Sequence, residues 1–153
     1  MDLIEKARKV IGIETSQLNR LAARLDENFS KALGALEETL KGGHKIVVIG
    51  VGKSEHIGNK FVATLNSTGA TTVGLNCQNA LHGDLGMLSV GDLVIALSHS
   101  GETSEMISLL PHAKKRASQI ITITGDTKST LAKYSDIILD THVEQEACPL
   151  QLA

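Results

Sequence analysis

The stretch Lys45-Ile-Val-Val-Ile-Gly-Val-Gly-Lys-Ser54 decides the fold that we predict for this chain. It begins as a short run of β-branched residues that ends at Gly50, and a helical pattern opens after Gly52. Four comparable apolar runs follow, with helical stretches between them, at residues 71–75, 92–97, 119–124 and 136–139. Near-continuous apolar strands that alternate with helices are typical of a parallel sheet covered on both faces. We therefore predict an α/β core over residues 44–153.

The first 43 residues are predicted to be helical. Leucine and phenylalanine recur at spacings of three and four from Leu18 to Leu40, which predicts one apolar stripe on a long helix that Gly42 and Gly43 end. A shorter helix is predicted before it, over residues 3–11. The stripe has two open interpretations. It covers only the domain's own core, or it also forms the contact between copies of the chain. We expect a homodimer or homotetramer. The other predicted apolar helix faces are Ile57, Phe61, Val62 and Leu65, and Met106, Ile107, Leu110 and Ala113.

Composition excludes several classes of protein. The chain has 153 residues, of which 42% are hydrophobic and 21% charged, and this is enough for one compact domain with its own core. A net charge of −2 argues against a nucleic-acid partner. The N-terminus is amphipathic and no run approaches the roughly 18 apolar residues of a membrane span, so we expect a cytoplasmic protein with no membrane partner. Cys77 and Cys148 are 71 positions apart, and we predict neither a redox pair nor a metal site.

The glycine-rich turn at residues 50–54 matches neither of two common nucleotide motifs. A P-loop needs glycine at the position of Val47, and a dinucleotide fingerprint needs glycine at the position of Glu55. What remains is a glycine turn that opens a helix, with Lys53 and Ser54 at its start. The N–H groups and the dipole of a helix N-terminus attract anions, so this turn is a candidate anion site.

The loop after the third predicted strand is rich in hydroxyl groups. Ser98, Ser100 and Thr103 surround Gly101 immediately before a predicted helix. Hydroxyl and backbone N–H groups together suit a phosphate monoester. The alternative is that Ser100 or Thr103 caps the helix, with a glutamate in its first turn. Both interpretations can hold at once.

The loop motifs together carry a resemblance to a known family. They read GKS at 52–54, HGDLGM at 82–87, SHSGET at 98–103 and EACPL at 146–150. This combination resembles the sugar isomerase (SIS) domain and, more narrowly, the D-arabinose 5-phosphate isomerases, from about Lys45 to the last residue. The resemblance implies a single Rossmann-like domain with a five-stranded parallel sheet, helices on both faces and a long N-terminal helix. It also implies a homo-oligomer that binds a small sugar phosphate and needs no cofactor.

The implied reaction interconverts D-ribulose 5-phosphate and D-arabinose 5-phosphate through an enediolate, and it supplies a precursor of the Kdo sugar of bacterial lipopolysaccharide. The chemistry needs a base to move a proton between two carbons and a cation or donor near the developing oxyanion. By the resemblance, Glu146 is the leading general base, Glu105 is the second candidate, Lys53 holds the phosphate or the enediolate oxygen, and His82 handles the substrate. Taken alone, Glu105 is interpreted as a helix-capping carboxylate, and among the other histidines we expect His99 to line the site. The implied substrate- and phosphate-binding residues are Gly52, Ser54, Gly83, Asp84, Ser98, Ser100, Gly101, Glu102 and Thr103.

Two other functions stay open. One is a different sugar-phosphate isomerase of the same fold, such as a 6-phospho-3-hexuloisomerase, and the other is a non-catalytic sugar-phosphate sensor. The motifs HGDLGM and EACPL favour the first interpretation, and the joint presence of Lys53, Glu105 and Glu146 argues against a sensor. Members of the resembled family continue beyond the position of Ala153 with a further helix and another catalytic histidine. Many also carry two CBS domains, so we expect these parts to lie outside the 153 residues.

Overall fold

A computed structural model describes residues 2–148 of the chain. Helices and strands alternate through the described residues after an initial pair of helices. In chain order the elements are α1 (Leu3–Arg24), α2 (Glu27–Lys41), β1 (Ile46–Gly50), α3 (Lys53–Ser67), β2 (Thr72–Asn76), α4 (Cys77–Leu81), a 3₁₀ turn (Asp84–Met87), β3 (Leu93–Leu97), α5 (Ser104–Lys114), β4 (Gln119–Thr124), α6 (Thr130–Tyr134) and β5 (Ile137–Asp140).

The strands form one five-stranded sheet in the order β2-β1-β3-β4-β5. All neighbours pair in parallel, and Ile46 at the start of β1 lies opposite Thr72 of β2 on one side and Leu93 of β3 on the other. This confirms the predicted five-stranded parallel sheet. The strand order reverses at β1, so the chain leaves β1 and β3 in different directions. In doubly wound sheets, ligands bind in the crevice at the carboxyl ends of the strands on either side of such a reversal.

Both faces of the sheet are covered, which explains why β1 and β3 are buried along their whole length and carry no polar side chain. Alternate residues of β1 point to opposite faces: Val47 and Ile49 pack with α4, α5 and α6, whereas Ile46 and Val48 pack with α2 and α3. The predicted face of α5 is confirmed, with Met106, Leu110 and Ala113 buried and Ile107 packed against them. The predicted face of α3 is confirmed for Phe61, Val62 and Leu65. Ile57 is the exception on this face, with 67% of its surface exposed.

The N-terminal helices differ from the prediction. The helix predicted to carry the whole stripe from Leu18 to Leu40 is interrupted, because α1 runs to Arg24 and α2 begins at Glu27. Asp26 causes the break: its backbone is extended, and its carboxylate accepts a hydrogen bond from the backbone N–H of Asn28 at 2.9 Å, as an N-cap does. The long N-terminal helix is therefore α1, which also includes the separate short helix predicted over residues 3–11.

Two aspartates accept hydrogen bonds from backbone N–H groups at the amino ends of the strands. Asp92, with 1% of its surface exposed, accepts hydrogen bonds from the backbone N–H groups of Lys45 (3.1 Å) and Ser89 (2.7 Å), and its carboxylate pairs with the Lys45 ammonium at 2.5 Å. Asp136 accepts a bond from the Ile120 N–H at 2.8 Å and pairs with Lys114 at 2.5 Å. This edge is opposite to the one where the predicted site lies.

None of the described helices has the length and apolar character to cross a bilayer.

Candidate functional site

The turn between β1 and α3 has the geometry predicted for residues 50–54. Gly52 is the N-cap residue of α3 and has a φ of 58°, a region that favours glycine. The backbone of α3 also comes very close to Gly50, where a Cβ would lie 2.8 Å from the Glu55 nitrogen. Lys53 and Ser54 thus open the helix directly after the carboxyl end of β1, Lys53 exposed and Ser54 half-buried.

The hydroxyl groups after β3 hold their own loop in shape. The buried Ser98 hydroxyl accepts a bond from the Gly101 N–H and pairs with the Thr103 hydroxyl, both at 3.1 Å. The Ser100 hydroxyl accepts from the Glu102 N–H at 3.2 Å. Thr103 occupies the N-cap position of α5, but its hydroxyl bonds Ser98 and does not cap the helix. The capping interpretation is therefore confirmed for the position of Thr103 and for Glu105 in the first turn, but the Thr103 hydroxyl forms no cap bond.

Two residues of this loop are fixed by the turn that precedes α6. Gly101 has a φ of 63°, and a Cβ there would collide with the Ser129 side chain. The carboxylate of Glu102 accepts a hydrogen bond from the Thr130 N–H at 2.6 Å. Glu102 therefore caps the first turn of α6, a contact that the predicted ligand-binding role did not anticipate.

Glu105 lies in the first turn of α5 and is held by several donors. Its carboxylate accepts bonds from the Ser104 hydroxyl at 2.9 Å and from the Gln78 amide at 3.2 Å. Bonds from its own backbone N–H, from Ser104 and from Gln78 lower the pKa of Glu105 below its ordinary value. The group is an anion at neutral pH and a weaker base than an ordinary glutamate.

The segment after β2 places His82 at the same edge of the sheet. Asn76 caps α4 by accepting bonds from the Gln78 and Asn79 N–H groups, and its amide donates to Glu55 of α3 at 2.6 Å. His82 follows α4 and is exposed, as are Gly83 and Asp84. Gly83 has a φ of 139°, which allows the sharp change of direction into the 3₁₀ turn.

Glu146 lies beyond β5, where it lines a cavity of about 480 Å³. The cavity is bounded on one side by α1 and on the other by residues 141–147 and His99. The His99 ring packs over Gly125, where a Cβ would lie 2.6 Å from its Cε1 atom, and His142 Nδ1 lies 3.2 Å from the Gly125 carbonyl oxygen. The last two residues of the EACPL motif, Pro149 and Leu150, lie outside the described residues.

The structure thus brings some of the predicted residues together and separates others. Glu146 and His99 share one cavity, whereas Lys53, His82 and Glu105 are placed by other loops at the carboxyl edge of the sheet. Sequence reasoning missed Gln78. Gln78 contacts Glu105 across 27 positions, and such a separation leaves no local signal. Within residues 2–148, no three His, Cys, Asp or Glu side chains form a group that could hold a metal ion.

Comparison with known proteins agrees with this arrangement. The family model described as "SIS domain" matches residues 39–153. The arabinose 5-phosphate isomerase KdsD of Pseudomonas aeruginosa is 44% identical over 153 residues, and the one of Francisella tularensis is 41% identical over 150 residues. These alignments cover 100% and 98% of this chain and 46% of each relative, so the chain spans about half the length of the curated relatives it matches.

A solved structure is similar over nearly the whole chain. It is an Escherichia coli CFT073 protein in complex with arabinose 5-phosphate, which is 35% identical with a TM-score of 0.92. The similarity covers 99% of this chain and 79% of that one. Sequence and fold lead to the same assignment, and this chain belongs to the SIS domain family.

Proposed function

We propose that the protein containing this chain is an aldose–ketose isomerase that interconverts D-ribulose 5-phosphate and D-arabinose 5-phosphate. The observation that carries the proposal is the 44% identity, over all 153 residues, to a relative named arabinose 5-phosphate isomerase. The similar structure that holds arabinose 5-phosphate supports the same substrate. The product would supply a precursor of Kdo in the cytoplasm, in agreement with the sequence-based expectation.

The phosphate of the substrate would bind at the crevice between the ends of β1 and β3. The two strands are neighbours, and the loops that follow them carry Lys53 and Ser54 on one side and Ser100 and Thr103 on the other. Hydroxyl groups and the first N–H groups of α3 suit a phosphate dianion. The other proposed substrate-binding residues are Gly52, Gly83, Asp84, Ser98, Gly101 and Glu102.

The proton transfer would be carried out by Glu146. Its competitor, Glu105, is held as an anion by three donors, and its lowered pKa makes it a weaker base. A general base works best when its pKa lies near the operating pH. Glu146 would remove the proton from the substrate carbon and return it to the neighbouring one, while Lys53 stabilises the enediolate oxygen and His82 assists at the substrate hydroxyls.

The partner of this chain would be a second copy. Four large apolar side chains on α1, α2 and the break between them are 42–64% exposed: Leu18, Leu25, Phe29 and Leu33.

Replacing Leu25 and Leu33 together with lysine should reduce the size of the oligomer measured by sedimentation. Leu36 is unsuitable because it packs against the core. Val90→Lys, at an apolar side chain 76% exposed elsewhere, is the matched control. A wild-type protein that sediments as a monomer at micromolar concentration would refute this part of the proposal.

The substrate is best tested on the full-length natural protein. Incubation with D-arabinose 5-phosphate should give D-ribulose 5-phosphate, and in D₂O the reaction should introduce deuterium at carbon, because the base exchanges its proton with solvent. D-ribose 5-phosphate, D-fructose 6-phosphate and 3-hexulose 6-phosphate are the comparison substrates. Preference for the hexulose phosphate would identify a different isomerase of the same fold, and tight binding without turnover would identify a sensor.

A further inference from the structure

The segment that carries Glu146 contacts the sheet, where the Thr141 N–H donates to the Thr124 carbonyl at 2.8 Å, and it also contacts α1. The carbonyl of His142 accepts a hydrogen bond from Arg24 Nη2 at 2.6 Å. The backbone N–H of Glu144 donates to Gln17 Oε1 at 3.1 Å, and the Glu144 carboxylate forms an ion pair with Arg20. Gln17, Arg20 and Arg24 lie on one face of α1, each one turn from the next. Together they contact the backbone and side chains of residues 142–144, just before Glu146.

Arg24 also ties this segment to the end of the sheet. Its Nε atom lies 3.6 Å from the carboxylate of Asp140, the last residue of β5, and that carboxylate accepts a bond from the His142 N–H at 2.8 Å. One guanidinium thus bridges Asp140 and the His142 carbonyl, next to the bond from the Thr141 N–H to the Thr124 carbonyl. Arginine suits this place, since its planar group presents several donors in fixed directions.

These contacts add little to stability. In the Arg20–Glu144 pair the side chains are 47% and 58% exposed, and in the Arg24–Asp140 pair 33% and 38%. Ion pairs this exposed contribute little to the free energy of unfolding. Their common effect is geometric, because the same helix face forms one wall of the cavity that Glu146 lines, through Ile13, Gln17 and Leu21.

We infer that Gln17, Arg20 and Arg24 are positioning residues that orient Glu146 in the site. The inference rests on the proposed function, in which Glu146 is the base. A base displaced by about 1 Å from its proton can lose on the order of 10²-fold in rate. Contacts that contribute little to the free energy of unfolding therefore have a large effect on the rate of the reaction.

The test uses the full-length protein with Arg24→Gln and Arg20→Gln, and Arg8→Gln as the matched control, since Arg8 is an exposed arginine near the other end of α1. We expect Arg24→Gln to lower kcat on the order of tenfold. KM and inhibition by inorganic phosphate should stay within about twofold, because the phosphate loop is untouched. Arg24→Lys should recover part of kcat, since one ammonium replaces only one of the two contacts.

A second measurement does not depend on activity. Amide hydrogen exchange in residues 142–146 should become faster in Arg24→Gln and Arg20→Gln, with exchange in β1 and β3 unchanged. An unchanged kcat in Arg24→Gln, unchanged exchange in this segment, or equal losses in the Arg8→Gln control would each overturn the positioning role. A wild-type protein with no isomerase activity would instead refute the proposed function, and faster exchange in the variants would still support the mechanical link between α1 and the segment.

Discussion

The two edges of the sheet use polar residues for opposite purposes. At the amino edge, Asp92 and Asp136 are committed to the backbone N–H groups and the lysines around them. At the carboxyl edge, Lys53 is an exposed side chain in the first turn of α3, and Ser100 and His82 are exposed in loops. Buried interactions within the chain stabilise the fold, and side chains exposed at a crevice can be reached by a ligand. Variants at the two edges should therefore separate stability from activity.

The largest effect is expected at the carboxyl edge. Glu146→Gln keeps the size of the side chain but removes the proposed base, so turnover should fall on the order of 10²–10⁴-fold. The free energy of unfolding should change by less than about 1 kcal/mol, since the residue is only half-buried. Steady-state kinetics and urea denaturation measure the two quantities, with the exposed Glu5→Gln on α1 as the control. Near-normal turnover would show that Glu146 is structural and would assign the role of base to Glu105 or His82.

The converse effect is expected at the amino edge. Asp92→Ala leaves two backbone N–H groups and the Lys45 ammonium without their shared acceptor. Removing one partner of a buried pair costs roughly 3–5 kcal/mol, which urea denaturation should detect. At a temperature where the variant is folded, kcat should match the wild type. A variant of normal stability and low activity would remove the distinction between the two edges.

The same carboxylate should make stability depend on pH. Burial alone raises the pKa of Asp92, but hydrogen bonds from the Lys45 side chain and from the Lys45 and Ser89 N–H groups outweigh burial, so the net pKa is lowered. A lowered folded-state pKa contributes stability that is present above the unfolded-state pKa of about 3.9 and is lost as the pH falls through the folded value. The difference in unfolding free energy between wild type and Asp92→Asn should therefore shrink below about pH 4. A difference that stays constant down to about pH 2 would contradict the role of the charge.

The smallest effect is expected from a single hydroxyl. Ser100→Ala removes one proposed phosphate donor and the acceptor for the Glu102 N–H. One hydrogen bond to a charged group corresponds to about 1.5 kcal/mol, so KM should rise on the order of tenfold while kcat changes less. Ser108→Ala, on the exposed face of α5, is the control. A larger loss in kcat than in KM would place Ser100 near the reacting carbons.

Features encoded by neighbouring residues could be predicted from the sequence. The β4 strand has the predicted bounds of 119–124, and the other strands differ by one residue at one or both ends. The hydroxyl cluster after β3 is likewise local, since Ser98 and Thr103 are five positions apart. The break at Asp26 was missed because the apolar spacing of four runs through it, from Leu21 to Leu25 and Phe29, and hides one capping residue.

Features that depend on distant contacts could not be predicted. The placement of the Glu146 segment rests on Arg24 and Gln17, which lie 118 and 127 positions from their partners. Nothing in the residues around Glu146 indicates that a helix near the N-terminus lies beside them. The contact of the Glu102 carboxylate with the Thr130 N–H, 28 positions away, was likewise not predicted, because the motif around Glu102 carries no sign of it.

The reactivity of the Cys77 thiol can be used to detect local opening of the fold between α4 and α5. It is fully buried, lies 3.8 Å from the Met106 sulfur, and burial raises its pKa to about 12. Only the thiolate reacts quickly with alkylating reagents, so the folded protein should protect Cys77 twice, by steric exclusion and by protonation. Because the two sulfurs come from opposite sides of the contact between α4 and α5, alkylation of Cys77 should require those helices to separate. Labelling of the folded protein, compared with that of the unfolded protein, would then measure the population in which the scaffold beneath His82 and Glu105 is open.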